Sequence, residues 1–225
     1  MDTLFGKFTR KTKKEPEKQN DEEYKPKEEE PLTFKILFVG GIGVGAKTCF
    51  VNRYVRNIFP EFTEATPGAS FFTKHTVSRG KEVSLKMWDT NGHTRFVQIA
   101  AQMYLRGAAG VVLGYDVTDR STFDAVRRRY LSYTKEYPNI LFMVIGHKAD
   151  LEEQRDVSKE EGESLAKEFN NALFFESKPK NRNRNKNDGF SFFIDFAFIA
   201  SAKTGYNIRE SMNALVDMIL ESKGY

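Results

Sequence analysis

The sequence predicts an α/β protein, an open and mostly parallel sheet whose strands alternate with helices. Three observations carry that reading. Short apolar runs of strand length recur between longer stretches with helical spacing. One of them, residues 140–145, is apolar throughout, as a strand covered on both faces should be. The first run stops in a glycine-rich turn that leads straight into a helix, and sheets of this kind bind ligands beyond the carboxyl ends of their strands.

Taken in order, residues 1–32 read as a charged extension, expected to be disordered. Lys7, Arg10, Lys11, Lys13 and Lys14 precede an acidic stretch that includes Glu15, Glu17, Asp21, Glu28 and Glu30. Leu4, Phe5 and Phe8 bury too little to offset the entropy of ordering it. With their basic neighbours those three could form a weak amphipathic anchor for an anionic membrane surface; a solvated tail is the favoured reading. Residues 34–39 then form the first strand. Phe50 with Tyr54, and Val51 with Val55, stand at i, i+4 spacing and predict a helix after the glycine turn. His75 falls in a predicted strand and reads as structural. Val83, Leu85 and Met87 alternate with Glu82, Ser84 and Lys86, a strand with one wet face. Residues 111–113 make another strand, 121–136 and 158–170 have helical spacing, and Ile208, Met212, Leu215 and Ile219 mark a final amphipathic helix.

Length and composition bound the function. The 225 residues suit roughly one domain with some chain left over. Hydrophobic residues at 40% and charged residues at 29% fit a single sizeable core. Mean hydropathy is −0.55, and the longest apolar candidate, 190–200, is too short for a membrane span and carries Asp195. One cysteine, Cys49, excludes a disulfide-stapled scaffold. The first residues lack the apolar core of a signal peptide. The second residue is Asp2 rather than a glycine, and no cysteine stands near Tyr225, so neither N-myristoylation nor prenylation is expected. The chain is expected in the cytoplasm, with weak or partner-dependent attachment to endomembranes. The pI near 9.0 suggests nucleic acid, but the excess is local. Lys178, Lys180, Arg182, Arg184 and Lys186 against Asp188 leave a surplus equal to the net charge of the whole chain, +4. A nucleic-acid module would rest on that loop alone and ranks last.

The chemistry sits at the strand ends. Gly40-Gly41-Ile42-Gly43-Val44-Gly45-Ala46-Lys47-Thr48 has the context of a phosphate-binding loop. Glycines let successive N–H groups point at phosphate oxygens, and the helix start adds its positive end. Lys47 would meet the β and γ phosphates and the Thr48 hydroxyl a Mg²⁺ ion. The plain alternative is a glycine-rich strand–helix turn, which leaves the Lys-Thr pair unexplained. Two registers stay open: counted from Gly41, Ala46 replaces the last glycine of the usual spacing; counted from Gly40, Ala46 is an insertion. Asp89 leaves its strand opposite this loop, where it can hold a metal shell, and the Gly92 N–H can reach a γ-phosphate. Asp150, in Gly146-His147-Lys148-Ala149-Asp150, can accept two hydrogen bonds from guanine, an edge adenine lacks. Ser201-Ala202-Lys203 could present a backbone N–H to the same base.

With these motifs the chain resembles a Ras-superfamily small GTPase, and within it the Rab branch of the endosomal kind. The likeness runs over about 33–222 and is carried by 34–40, by 62–71 with Thr66 and Gly68, by Leu85-Lys86-Met87-Trp88-Asp89-Thr90, by 104–108, by Tyr115-Asp116-Val117-Thr118, by Lys148-Ala149-Asp150 and by Ser201-Ala202-Lys203-Thr204-Gly205. It implies a P-loop small G-domain, an open six-stranded, mostly parallel sheet with helices on both faces. It implies GTP or GDP with Mg²⁺ as ligands, and effectors, exchange factors and GTPase-activating proteins as partners through the switch regions. Gly41, Gly43, Val44, Gly45, Ala46, Lys47, Thr48, Cys49, Thr66, Gly92, His147, Lys148, Asp150, Ser201, Ala202 and Lys203 would line the nucleotide. Thr48 and Thr66 would bind the metal, with Asp89 in its shell, and Lys47 and His93 would be the catalytic pair.

Departures from the family pattern matter as much. Asn91 and His93 stand where the family has Ala and the Gln that orients the attacking water. An imidazole offers a donor and an acceptor from a shorter, stiffer arm, so slow hydrolysis is expected. His147 replaces an Asn in the guanine motif. The alternative to a slow GTPase is a pseudo-GTPase scaffold, favoured by Ala46, His93 and His147 and opposed by Lys47, Thr48, Thr66 and Asp150. Finally, 174–176 should run almost directly into Ser201, yet an insertion at about 177–199 intervenes. It reads either as a basic surface loop for an acidic partner or, the favoured reading, as translated intron, since AT-rich noncoding sequence encodes such Asn, Lys, Phe and Ile.

Overall fold

The computed structural model describes residues 30–40, 46–60, 66, 68–92, 103–168, 172–173 and 198–225. The chain divides into Met1–Glu30 and Pro31–Tyr225, and all but one of the described residues belong to the second unit. Its strands are β1 (Leu32–Gly40), β2 (Ala69–Ser78), β3 (Lys81–Thr90), β4 (Gly110–Asp116), β5 (Leu141–His147), β6 (Ala172–Leu173) and β7 (Phe198–Ile199). Its helices are α1 (Ala46–Arg56), α2 (Arg120–Glu136), α3 (Lys159–Glu168) and α4 (Ile208–Ser222). The sheet order is β2-β3-β1-β4-β5-β6, and only the β2–β3 hairpin is antiparallel.

The six expected strand positions are present, but the sixth is shared. β6 lies opposite Phe142 and Met143 of β5, and β7 lies opposite Ile145 and Gly146. One place, opposite Val144, separates the two in the sheet, whereas 174–197 separate them in the chain. Where the sheet has room for one residue, the sequence supplies a long segment that lies outside the described residues.

The apolar runs pack as two cores, one on each face. On one, Ile36, Phe38, Leu85, Met87 and Val112 meet Phe50 and Val51 of α1 and Met212, Leu215 and Ile219 of α4. On the other, Leu37, Val39, Val111, Leu113 and Val144 meet Phe123, Val126 and Tyr133 of α2 and Leu165 of α3. Alternation along β1 sends Ile36 and Phe38 to one side and Leu37 and Val39 to the other. This is why the run has no polar member between Ile36 and Val39.

Caps set the helix starts. The Asp119 side chain accepts from the Ser121 N–H at 2.9 Å and begins α2. At α3, Ser158 Oγ accepts from the Glu161 N–H at 3.1 Å while Glu161 Oε2 accepts from the Ser158 N–H at 2.9 Å, a reciprocal capping box. The β2–β3 turn is fastened to α4: Ser78 Oγ donates to Asp217, and Arg79 pairs with Glu221 at 3.1 Å. No helix among the described residues is long and apolar enough to cross a membrane.

Candidate functional site

The predicted site residues gather at the carboxyl ends of β1, β3, β4 and β5. β1 ends at Gly40, where a Cβ would stand 2.8 Å from the Gly114 carbonyl oxygen and 3.1 Å from the Lys47 side chain. The lack of a side chain there lets α1 start close above the sheet and lets Lys47 fold back over the strand end. Lys47 is 5% exposed. Burial lowers its ammonium pKa, the Asp89 charge opposes that, and the charge of Arg129 adds to it.

Asp89, in β3, is fully buried. Its Oδ2 accepts from the Thr48 hydroxyl at 2.6 Å, and Thr48 Oγ1 lies 3.3 Å from Thr66 Oγ1. Its Oδ1 is buried without a hydrogen-bond partner among the described residues. Burial raises this carboxyl above its usual range, against hydrogen bonds from Thr48 and Thr66 and the Lys47 charge. Two hydroxyls and a carboxylate from three segments thus converge with one oxygen unspoken for. Hard oxygen donors of this type suit Mg²⁺ completed by phosphate and water. Among the described residues no group of three or more His, Cys, Asp or Glu could hold a metal, so this oxygen set is of a different kind.

The opposite end has the shape of a base pocket. Asp116, closing β4, pairs with Lys148 at 2.5 Å and accepts from the Thr118 N–H at 2.9 Å and hydroxyl at 2.7 Å. Burial opposes its ionisation, but the bonds from Lys148 and Thr118 outweigh burial and hold the carboxyl below its ordinary range. Lys148 adopts a left-handed backbone, φ 62°, a conformation a non-glycine residue keeps only where its surroundings enforce it. Ser201 Oγ donates to Asp150 Oδ1 at 2.6 Å and so orients the exposed carboxylate. The loop after β7 is itself anchored: Arg53 of α1 donates to the Ala202 carbonyl at 2.7 Å and to the Lys203 carbonyl at 2.9 Å.

His147 lies beneath this pocket. Its ring is 1% exposed, sits edge-on to Phe50 with centroids 5.8 Å apart, and covers Gly114 so closely that a Cβ there would be 2.5 Å from Nε2. Neither ring nitrogen has a hydrogen-bond partner among the described residues. Burial, reinforced by Lys47, pushes its pKa down to about 3, so the imidazole is neutral. Cys49 is buried, and burial together with the Asp89 charge raises its thiol pKa.

The structure therefore brings Lys47, Thr48, Thr66 and Asp89 together at one end, and Lys148, Asp150, Ser201, Ala202 and Lys203 at the other. Gly92 follows β3 beside Asn91, whose N–H donates to the Gly68 carbonyl at 2.7 Å. Ala46 opens α1; Gly41, Gly43, Val44, Gly45 and His93 lie outside the described residues. Sequence reasoning passed over Arg53 and gave Asp116 no role in the site. An acid closing an apolar strand was the available signal for Asp116, whereas a surface-type arginine in α1 gives none.

Beside the metal end lies an aromatic row. Phe71 of β2 packs edge-on to Trp88 of β3 at 5.1 Å, and Trp88 packs on Tyr104 at 5.5 Å. Phe71 remains 51% exposed and the neighbouring Met103 77%.

A Lys-Thr pair at the start of a helix that follows a glycine-rich sequence, with an acid at the end of the neighbouring parallel strand, defines a P-loop nucleotide-binding protein. Comparison with known proteins narrows this. The profile described as Ras family matches residues 35–195, and the chain belongs to the Ras family, on its Rab branch. Two curated relatives are "Ras-related protein RABA5e" and "Ras-related protein RABA5d" of Arabidopsis thaliana, 41% and 40% identical over 148 residues. The match covers 65% of this chain and 66% and 65% of theirs, so the chain spans about two thirds of the relatives' length.

Proposed function

We propose that the chain is a guanine-nucleotide switch that binds GDP and GTP with Mg²⁺, hydrolyses GTP slowly and acts in intracellular vesicle traffic. The observation that carries this reading is the pairing of two ends in one site: Lys47, Thr48, Thr66 and Asp89 for phosphate and metal, Asp150 held by Ser201 for the base. Thr48, Thr66 and the free oxygen of Asp89 would hold Mg²⁺, which when bound neutralises charge on the β and γ phosphates. Lys47 supplies a buried, partly desolvated cation to the same oxygens. Asp150 accepts from the base and Lys148, held by Asp116, flanks it.

Because Thr66 and Gly92 sit on the two segments that leave the β2–β3 hairpin at the phosphate end, a γ-phosphate would order both and its loss would release both. Effectors, exchange factors and GTPase-activating proteins would read that change on the adjoining surface, where exposed Phe71, backed by the partly buried Trp88 and Tyr104, gives them an apolar anchor. His93 in place of a glutamine supports slow turnover. The switch would work in the cytoplasm, attached to endomembranes weakly or through partners. Residues 1–32 as an extension and 33–222 as the G-domain, interrupted at about 177–199, complete the proposal.

The test is direct. Nucleotide released from the purified protein by denaturation is identified by chromatography, and phosphate release is followed with Mg²⁺. Guanine nucleotide with slow phosphate release is expected. Retained nucleotide with no turnover would mean a scaffold, and an empty site that takes up neither GDP nor GTP would end the reading.

A further inference from the structure

The registers of β6 and β7 on β5 measure the chain that separates them. Ala172 lies opposite Phe142 and Leu173 opposite Met143, an offset of 30 in residue number. Phe198 lies opposite Ile145 and Ile199 opposite Gly146, an offset of 53. Both strands run parallel to β5, so the chain between them holds 23 residues more than one continuous strand would. With a core on each face of the sheet that count is strict, because a slip of one residue turns every side chain to the other face.

Without the excess, the chain leaving β6 meets the same partners. Phe174, Phe175 and Glu176 fall opposite Val144, Ile145 and Gly146. Phe175 then takes the place that Phe198 holds now, phenylalanine for phenylalanine. One further residue replaces Ala200, whose N–H donates to the Gly146 carbonyl at 2.7 Å. Ser201 follows in its present place, with its hydroxyl on Asp150.

An excess of 23 residues is 69 nucleotides, a whole number of codons, so its removal keeps the reading frame. Introns begin with GT and end with AG. Ser177 spelled AGT contains the first border, and Ile199 spelled ATA before the G of the Ala200 codon contains the second. From one border to the other is 69 nucleotides, the length the two registers require. The A left from codon 177 joins the last two bases of an alanine codon, and every such triplet encodes threonine, a β-branched residue that suits a strand. Phe190, Phe192, Phe193, Phe196 and Phe198 have thymine-rich codons, the pyrimidine tract that precedes the end of an intron.

We propose that 177–200 contain an in-frame intron of 69 nucleotides retained in the 225-residue reading frame, and that the working chain joins Glu176 to Ser201 through a single threonine. β6 then runs unbroken into the loop that orients Asp150, and the base end of the site is carried by a full strand. The inference stands on strand register, so it neither rests on the nucleotide reading nor falls with it.

The experiment amplifies genomic DNA and cDNA with primers in the codons of α3 and α4, and digests the native protein with trypsin. A cDNA product 69 nucleotides shorter than the genomic one is expected, alone or beside the longer product, with a threonine codon between those of Glu176 and Ser201. The digest should yield a peptide that runs from Glu168 through Glu176 and the new threonine to Lys203. A cDNA of unreduced length as the sole product, or one shorter by any other number, overturns the proposal. So does a digest that contains peptides from 181–200 and lacks the joined one.

Discussion

At the scale of single residues, the site depends on charges whose surroundings decide their state. Asp150 is exposed, yet Ser201 fixes one of its oxygens, so its contribution is directional. Asp150→Asn replaces an acceptor by a donor facing the N–H edge of guanine, and guanine nucleotide affinity is expected to fall about 100-fold or more by isothermal titration. His147 is buried neutral with its pKa near 3 against an ordinary value of 6.5. A depressed histidine favours folding above the unfolded pKa, and that advantage is lost as pH falls, because the unfolded chain takes up a proton the native chain refuses. Between about pH 6 and pH 4 the unaltered chain should lose up to about 1.4 kcal/mol per pH unit relative to His147→Gln, read from denaturant melts. His93→Gln should raise the single-turnover GTPase rate; equal rates would show that the histidine does not limit turnover.

At the scale of elements, the central strands were legible in the sequence because each is apolar on both faces or alternates cleanly. β2 was less so. It is an edge strand whose Phe71, Lys74, His75 and Val77 follow no single period, since one of its faces meets α4 and the other meets solvent and the aromatic row. α2 was legible as a helix, but Arg129 on its buried stripe was not, because a run of Arg127, Arg128 and Arg129 reads as solvated. The phosphate and base motifs could be read directly, whereas Arg53 could not: its use comes from a loop distant in sequence. Arg53→Ala removes both bonds to the 202–203 carbonyls, and GDP dissociation is expected to quicken about tenfold in stopped-flow release. The divided sixth strand makes a separate prediction. Deleting 177–199 lets 174–176 continue from β6 opposite Val144, Ile145 and Gly146, so the shortened chain should keep GDP binding and melt no lower than the full one. Loss of folding would show that β7 is indispensable.

At the scale of the whole molecule, the two cores meet the site through α1 and α2, so ligand binding and folding are linked. A ligand that binds only the native state adds stability in proportion to the logarithm of its concentration over Kd. GDP at about 100 times its Kd should stabilise the chain by about 2.7 kcal/mol, and chelating Mg²⁺ should remove part of that gain in thermal melts. Leu215→Ala, in the α4 core, is expected to cost about 2–5 kcal/mol without changing which nucleotide is preferred.

The rivets at Ser78 and Arg79 bear on how such a machine could move. β2 begins just after Thr66 and Gly68, and β3 ends in Asp89 and Thr90, so the hairpin is a rod with a ligand-facing segment at either root and its tip clamped to the last helix. A rod held at its tip cannot slide lengthwise. Any rearrangement that follows the chemistry must therefore pivot at its roots, and cutting the clamp with Asp217→Ala and Glu221→Ala would turn a hinge into a piston.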